Sequence, residues 1–179
     1  MKNLYKIFAL IVLVSLSACN SASATPTTTP VPTKIIPTPT PTEAPMVLAL
    51  KFAQKFTPTK CPDGSPTGAF CLNVSGTAND PVLGEVTMAR VAVLNFAGEK
   101  DKNQCVPAST DGTLTIGSDT ITYTAPGVFC PKTSIATYAY QVTGGTGAYA
   151  NATGAGTIDV PPASSSSTGV ENWSGTLTK

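Results

Sequence analysis

From residue 48 onward, apolar side chains recur at every second position, the period of a strand with one face buried and the other wet. Leu48, Leu50, Phe52 and Phe56 fall on one side of the first such segment, with Lys51 and Lys55 on the other. Phe70, Leu72 and Val74 alternate with Cys71, Asn73 and Ser75, and Glu85 to Phe96 makes a longer strand. Leu114 and Ile116, then Ile121 and Tyr123, flank Gly117-Ser118-Asp119, whose glycine supplies the positive φ of a tight hairpin. Tyr138, Tyr140 and Val142 face away from Ile135, Thr137, Ala139 and Gln141. Ala152 to Val160 and Val170 to Thr178 finish the series, the last with Trp173 and Leu177 on one face. Helix signals are nearly absent.

Eight strands joined by short connections predict antiparallel neighbours. Eight strands also close into a cylinder whose interior is just filled by side chains or holds one small ligand, and closure removes edges that seed aggregation. The prediction is an all-β, eight-stranded antiparallel barrel over residues 46–179. An immunoglobulin-like β-sandwich shows the same periodicity and is the alternative.

The chain ahead of this domain has a different pattern. Lys2 and Lys6 precede the apolar run Ile7 to Leu16, which is too short to span a bilayer, and Ser17-Ala18 place small residues before Cys19. This arrangement predicts a bacterial lipoprotein signal peptide over 1–18, with a diacylglycerol on Cys19. At about 0.8 kcal/mol per buried methylene, two or more acyl chains anchor stably. The expected location is therefore the cell membrane, lipid-anchored and facing outside the cytoplasm. Residues 19–45 continue as a Thr/Pro-rich stalk with little to bury, expected to be disordered; in polyproline geometry it reaches on the order of 75 Å.

Composition narrows the function classes. Without its first 18 residues the chain keeps nine basic and ten acidic residues, so nothing suits it to nucleic acid. The remaining cysteines, Cys61, Cys71, Cys105 and Cys130, are an even set in an exported domain and imply two disulfides. The turn-rich loop between Cys61 and Cys71 favours pairing those two, and Cys105 with Cys130. Without histidine or a Cys-x-x-Cys spacing, a metal site is not expected, and no cofactor is implied. The missing histidine also excludes Ser-His-Asp and Cys-His chemistry.

The most specific stretch runs Gly144, Gly145, Thr146, Gly147, Ala148, Tyr149, Ala150, Asn151, Ala152, Thr153, Gly154. Its glycines allow a sharp reversal after a strand ending at Thr143, letting Tyr149 drop its ring onto the barrel end. Ala152, Gly154 and Gly156 make a small-residue face on which a large ring such as Tyr138 or Tyr140 can lie. The stretch resembles the Gly-Gly-Thr-Gly-x-(Phe/Tyr)-x-x-Ala-x-Gly signature of the allene oxide cyclase and dirigent superfamily. That resemblance implies a calycin-like barrel whose cavity, in plant members, steers cyclisation of an oxylipin or coupling of phenolic radicals. The disulfides and lipoprotein leader depart from the plant pattern and suggest a bacterial, secreted branch.

Candidate site residues are few. Arg90, the only arginine, faces inward if Val86, Met88, Ala92 and Leu94 do, and is solvated if Val91 and Val93 face inward instead. Buried, it needs an acidic partner or an anionic ligand. Asp159 and Glu171 read as solvated outer positions, although Glu171 shares a face with Trp173. Tyr123, Tyr138 and Tyr140 line a ligand cavity or serve as plain core; Trp173 stacks on a sugar or plugs the barrel.

The reading is a membrane-tethered barrel that binds a small apolar ligand or a cell-wall component without catalysis. A cyclase-like or isomerase-like enzyme that orients an apolar substrate is the alternative, because a shaped pocket lowers a barrier with little acid-base apparatus. A carbohydrate-binding module is the third reading. A cavity of about 300 Å³ or more, with Arg90 and a carboxylate directed into it, separates a ligand site from a filled core.

Overall fold

The computed structural model describes residues 44–179. Cys19, the signal peptide and nearly all of the stalk lie outside the described residues. Eight strands follow one another: β1 (Met46–Thr59), β2 (Phe70–Asp80), β3 (Gly84–Leu94), β4 (Val106–Ile116), β5 (Asp119–Cys130), β6 (Ile135–Gly145), β7 (Thr153–Val160) and β8 (Thr168–Thr178). Each pairs antiparallel with the next, and β8 returns to β1 with Leu50 opposite Trp173, so the sheet closes into a barrel. This pairing of first and last strands excludes the two-sheet sandwich.

Alternation decides the inside from the first strand onward. Leu48, Leu50, Phe52 and Gln54 are buried, while Val47, Ala49, Lys51, Ala53 and Lys55 are exposed. The β4–β5 hairpin is longer than the sequence pattern predicts, extending back to Val106 and forward to Cys130. Those extensions carry threonine, serine, alanine, proline and glycine, whose weak apolar signal is overridden by pairing along both neighbours. In the turn between them Gly117 takes φ +60°. β3 stops at Leu94, so Phe96 belongs to the following loop.

Three interior tyrosines lie directly across from glycines on neighbouring strands: Tyr123 opposite Gly112, Tyr138 opposite Gly127, and Tyr140 opposite Gly156. A Cβ on Gly127 or Gly156 would sit 2.7 Å from the facing ring, so the absent side chain is what admits the aromatic. The small-residue face thus receives Tyr140 at Gly156, whereas Gly154 lies against the backbone of Thr176 and Leu177.

The glycine motif itself extends β6 through Gly145, beyond Thr143, and then forms a 3-10 turn at Gly147–Tyr149. Asp119 Oδ2 accepts a hydrogen bond from the Ala148 amide at 3.0 Å, and Gly147 takes φ +57° where any Cβ would collide with the Asp119 carboxylate. Tyr149 is buried at this end of the barrel together with Leu48, Val86, Leu114, Ile121 and Leu177. The other end carries both disulfides, Cys61–Cys71 and Cys105–Cys130, the pairing expected from the sequence. Each cross-link constrains the unfolded chain by about 3 kcal/mol. Because β1 begins at the tyrosine-capped end, the chain preceding Met46 joins the barrel opposite the disulfides.

Candidate functional site

At the disulfide-bearing end the lumen opens into a cup of about 360 Å³. Its walls are mostly apolar: Phe56, Leu72, Val74, Ala92, Leu94, Ala136 and Val160. Pro58, Phe70, Phe96, Phe129, Pro161 and Ala163 complete the lining, with the rings of Phe96 and Phe129 meeting edge to face at 6.1 Å. Arg90 is the only charged residue in that lining. The cup exists because the inward positions at this level are small. Ala92 and Ala136 line it where the opposite half of the barrel places tyrosine, tryptophan and phenylalanine.

The β3 register turns Val86, Met88, Arg90, Ala92 and Leu94 inward, so the buried alternative for Arg90 holds, at 6% exposure. Its Nη2 donates to Glu171 Oε2 at 2.6 Å, and Trp173 Nε1 donates to Glu171 Oε1 at 2.7 Å. Glu171 is 0% exposed, which corrects its reading as a solvated outer position. Two residues from Trp173 on a barrel strand, it must share the lumenal face. Asp159, expected outside, is exposed.

Arginine and indole only donate, so Glu171 meets them as a carboxylate and its two oxygens are both used. Arg90 is less complete. Its Nε and Nη1 are buried without a hydrogen-bond partner, and its guanidinium lies 5.3 Å from the centroid of the Tyr138 ring. Burial opposes the charged guanidinium, but the Glu171 carboxylate, helped by Tyr138 and Tyr123, outweighs it and holds the Arg90 pKa above its ordinary value.

The other residues expected to line a cavity are distributed unequally. Tyr138 lines the cup beside Arg90. Tyr123, Tyr140 and Trp173 lie beneath in a packed cluster: Trp173 meets Tyr123 edge-on at 4.8 Å, Tyr140 at 4.9 Å and Phe52 at 5.9 Å. With 2% of its surface exposed inside the barrel, Trp173 offers no outer face to a sugar, and it plugs the barrel instead. Burial pushes the Tyr123 hydroxyl well above its ordinary pKa, Tyr140 up to about 12, and Tyr138 upward against the pull of Arg90. The Tyr123 and Tyr140 hydroxyls have no hydrogen-bond partner.

Sequence reasoning placed Glu171 outside, although its spacing from Trp173 signalled the lumenal face. It missed Gln54, buried on the lumenal face with Nε2 donating to the Val170 carbonyl at 3.4 Å, and the rim supplied by Phe129 and the 161–166 loop. A wider depression of about 780 Å³ crosses the outside of β1–β6. It is shallow, and its lining joins five threonines and the outward Lys55 and Asp111 to Arg90 and Tyr123, whereas the cup is mostly apolar with Arg90 as its one charged group.

No protein-family model and no curated protein matches the sequence. Solved structures do share its architecture. The pterocarpan synthase dirigent protein superposes with a TM-score of 0.54 at 9% sequence identity, over 78% of this chain and 97% of its own. At that identity the likeness establishes the fold alone: the domain is a closed, eight-stranded antiparallel barrel of dirigent-like architecture.

Proposed function

We propose that this protein is a lipid-anchored, extracytoplasmic binding barrel of a bacterial secreted branch, whose open cup receives a small, largely apolar ligand. The observation that carries the reading is a buried guanidinium with two unpartnered nitrogens in the lining of a mostly apolar cavity. A purely structural Arg90 would have those donors satisfied, since a buried unmade hydrogen bond costs about 1–3 kcal/mol. The volume lies at the lower end of small-molecule pockets. The stalk joins the end opposite the mouth, which suits capture of ligand from the surroundings.

Binding is tested with 1-N-phenylnaphthylamine, an uncharged dye that brightens in apolar sites. Saturable one-site binding is expected, with loss on filling the cup by Ala92→Trp in a variant of unchanged circular dichroism. Equal dye binding by wild type and a folded Ala92→Trp variant would reject the cup as the site. For the anchor, Cys19→Ala should release the protein from the membrane fraction; retention would contradict lipidation.

A substrate-orienting, cyclase-like role is the second reading, favoured by the dirigent-like architecture. Arg90 would then polarise an oxygen of a substrate whose conformation the walls restrict. It requires stereoselective product formation, whereas simple binding leaves the captured molecule unchanged.

A further inference from the structure

The floor of the cup is electrically complete but incomplete in hydrogen bonds. Arg90 and Glu171 cancel in charge at 2.6 Å, and both Glu171 oxygens are spent on Arg90 and Trp173. What remains is donor capacity on Arg90 Nε and Nη1. Of the cup's other polar linings, Gln54 and Tyr138 are neutral, and the two serines, Ser134 and Ser166, lie in loops at the rim.

An entering anion would bring a second negative charge beside Glu171 and lose its own hydration in an apolar cup. An entering cation would meet the guanidinium, with both carboxylate oxygens already accepting from Arg90 and Trp173. A neutral oxygen acceptor satisfies the open donors and leaves the charge balance intact. The aromatic lining adds to this, since Phe70, Phe96, Phe129 and Tyr138 present ring faces and edges suited to a flat, conjugated molecule.

We infer that the cup selects uncharged aromatic or conjugated molecules bearing a carbonyl or comparable acceptor oxygen, read by Arg90, over carboxylates of the same size. The inference rests on the cup being the binding site.

Three matched naphthalenes separate the inference from that premise when titrated calorimetrically into the exported domain. 2-Acetylnaphthalene offers a neutral acceptor, 2-ethylnaphthalene offers none, and 2-naphthoate offers a charged one. The ketone should bind at least about tenfold more tightly than the hydrocarbon, the value of one hydrogen bond to a charged donor. It should exceed the carboxylate by about tenfold or more.

Tightest binding by 2-naphthoate would overturn the inference and leave the cup reading standing as an anion receptor. Equal binding of ketone and hydrocarbon would overturn it as well, leaving a purely apolar site. Failure of all three to bind would remove the cup reading itself.

The paired variant Arg90→Met with Glu171→Gln keeps volume and neutrality and removes the guanidinium donors, while the carboxamide oxygen still accepts from Trp173. It should bring ketone and hydrocarbon within about threefold, with the hydrocarbon unchanged. Tyr138→Phe should keep the ketone preference; its loss there would assign the donor to the tyrosine and reject Arg90.

Discussion

One strand alternation builds two unlike halves of the same cylinder. Toward the 3-10 turn, inward positions carry Phe52, Tyr123, Tyr140 and Trp173, and cross-strand glycines at 112 and 156 make room for two of the tyrosines. Toward the disulfides, Ala92, Ala136, Val74 and Leu94 stand among Phe56, Phe129 and Tyr138, and the lumen stays open. The difference lies in side-chain volume, since both halves have the same topology and hydrogen-bonded ladder. The Arg90–Glu171 pair marks the level where the packed half gives way to the open one. A barrel of eight strands is just wide enough for this choice, because each lumenal level is filled or emptied by a few residues.

The strongest way to break this division is in the packed half. Trp173→Ala would remove an indole that meets three rings and holds Glu171, leaving a cavity no neighbour can fill. The expected cost is about 3–5 kcal/mol, read as a lower urea midpoint. Leu72→Ala, at the partly buried wall of the cup, should cost about 1 kcal/mol. Equal losses would mean that the open half is as tightly packed as the closed one.

At the boundary, Arg90→Met alone leaves the Glu171 carboxylate buried beside a single indole donor. The stability loss should be about 3–5 kcal/mol at neutral pH. Adding Glu171→Gln should recover most of it, because the penalty belongs to an orphaned charge and not to lost packing. If the double variant were as unstable as the single one, the pair would be a packing element. Chemical denaturation of both variants decides.

Much of the packed half was legible and much of the open half was not, for a physical reason. Large apolar residues at period two mark their own face, so Leu48, Phe52, Tyr140 and Trp173 announced strands and orientation together. Arg90 stayed undecided because β3 is apolar on both sides, with Val91 and Val93 opposing Met88 and Ala92. Closure into a barrel resolves it. Glu171 was misplaced by the average habit of a charged residue, against its own spacing from Trp173. The cup's rim is assembled from loops and from the distant ends of β2, β5 and β7, whose meeting depends on closure, and composition says nothing of that.

Alkaline titration sharpens the comparison from the closed side. Tyr123, Tyr138 and Tyr140 have folded pKa values raised by burial, Tyr140 to about 12 against an ordinary value of 10. The folded form thus holds their protons where the unfolded chain has released them. Their contribution is complete below pH 10 and is lost as the pH climbs through the folded values. Tyrosinate absorbance at 295 nm should therefore stay low for these three until the barrel unfolds. Early titration of Tyr123 and Tyr140, with the fold intact, would show that water reaches the packed half.

The smallest expected change in stability lies at the mouth. Phe70 is 43% exposed at the start of β2, so its truncation leaves no closed cavity and should cost about 0.5–1 kcal/mol or less. Its ring nonetheless forms part of the apolar cup, and shortening it removes wall from any molecule seated against Arg90. Phe70→Ala should therefore leave the urea midpoint nearly unchanged while weakening 1-N-phenylnaphthylamine binding about threefold to tenfold, given about 25 cal/mol per Å² of lost apolar contact. The same truncation at Phe52 should do the reverse, lowering stability by about 3–5 kcal/mol with the cup left in place. If Phe70→Ala changed stability and left dye binding intact, the open end would be a structural lid, and the contrast between the halves would have to be drawn elsewhere.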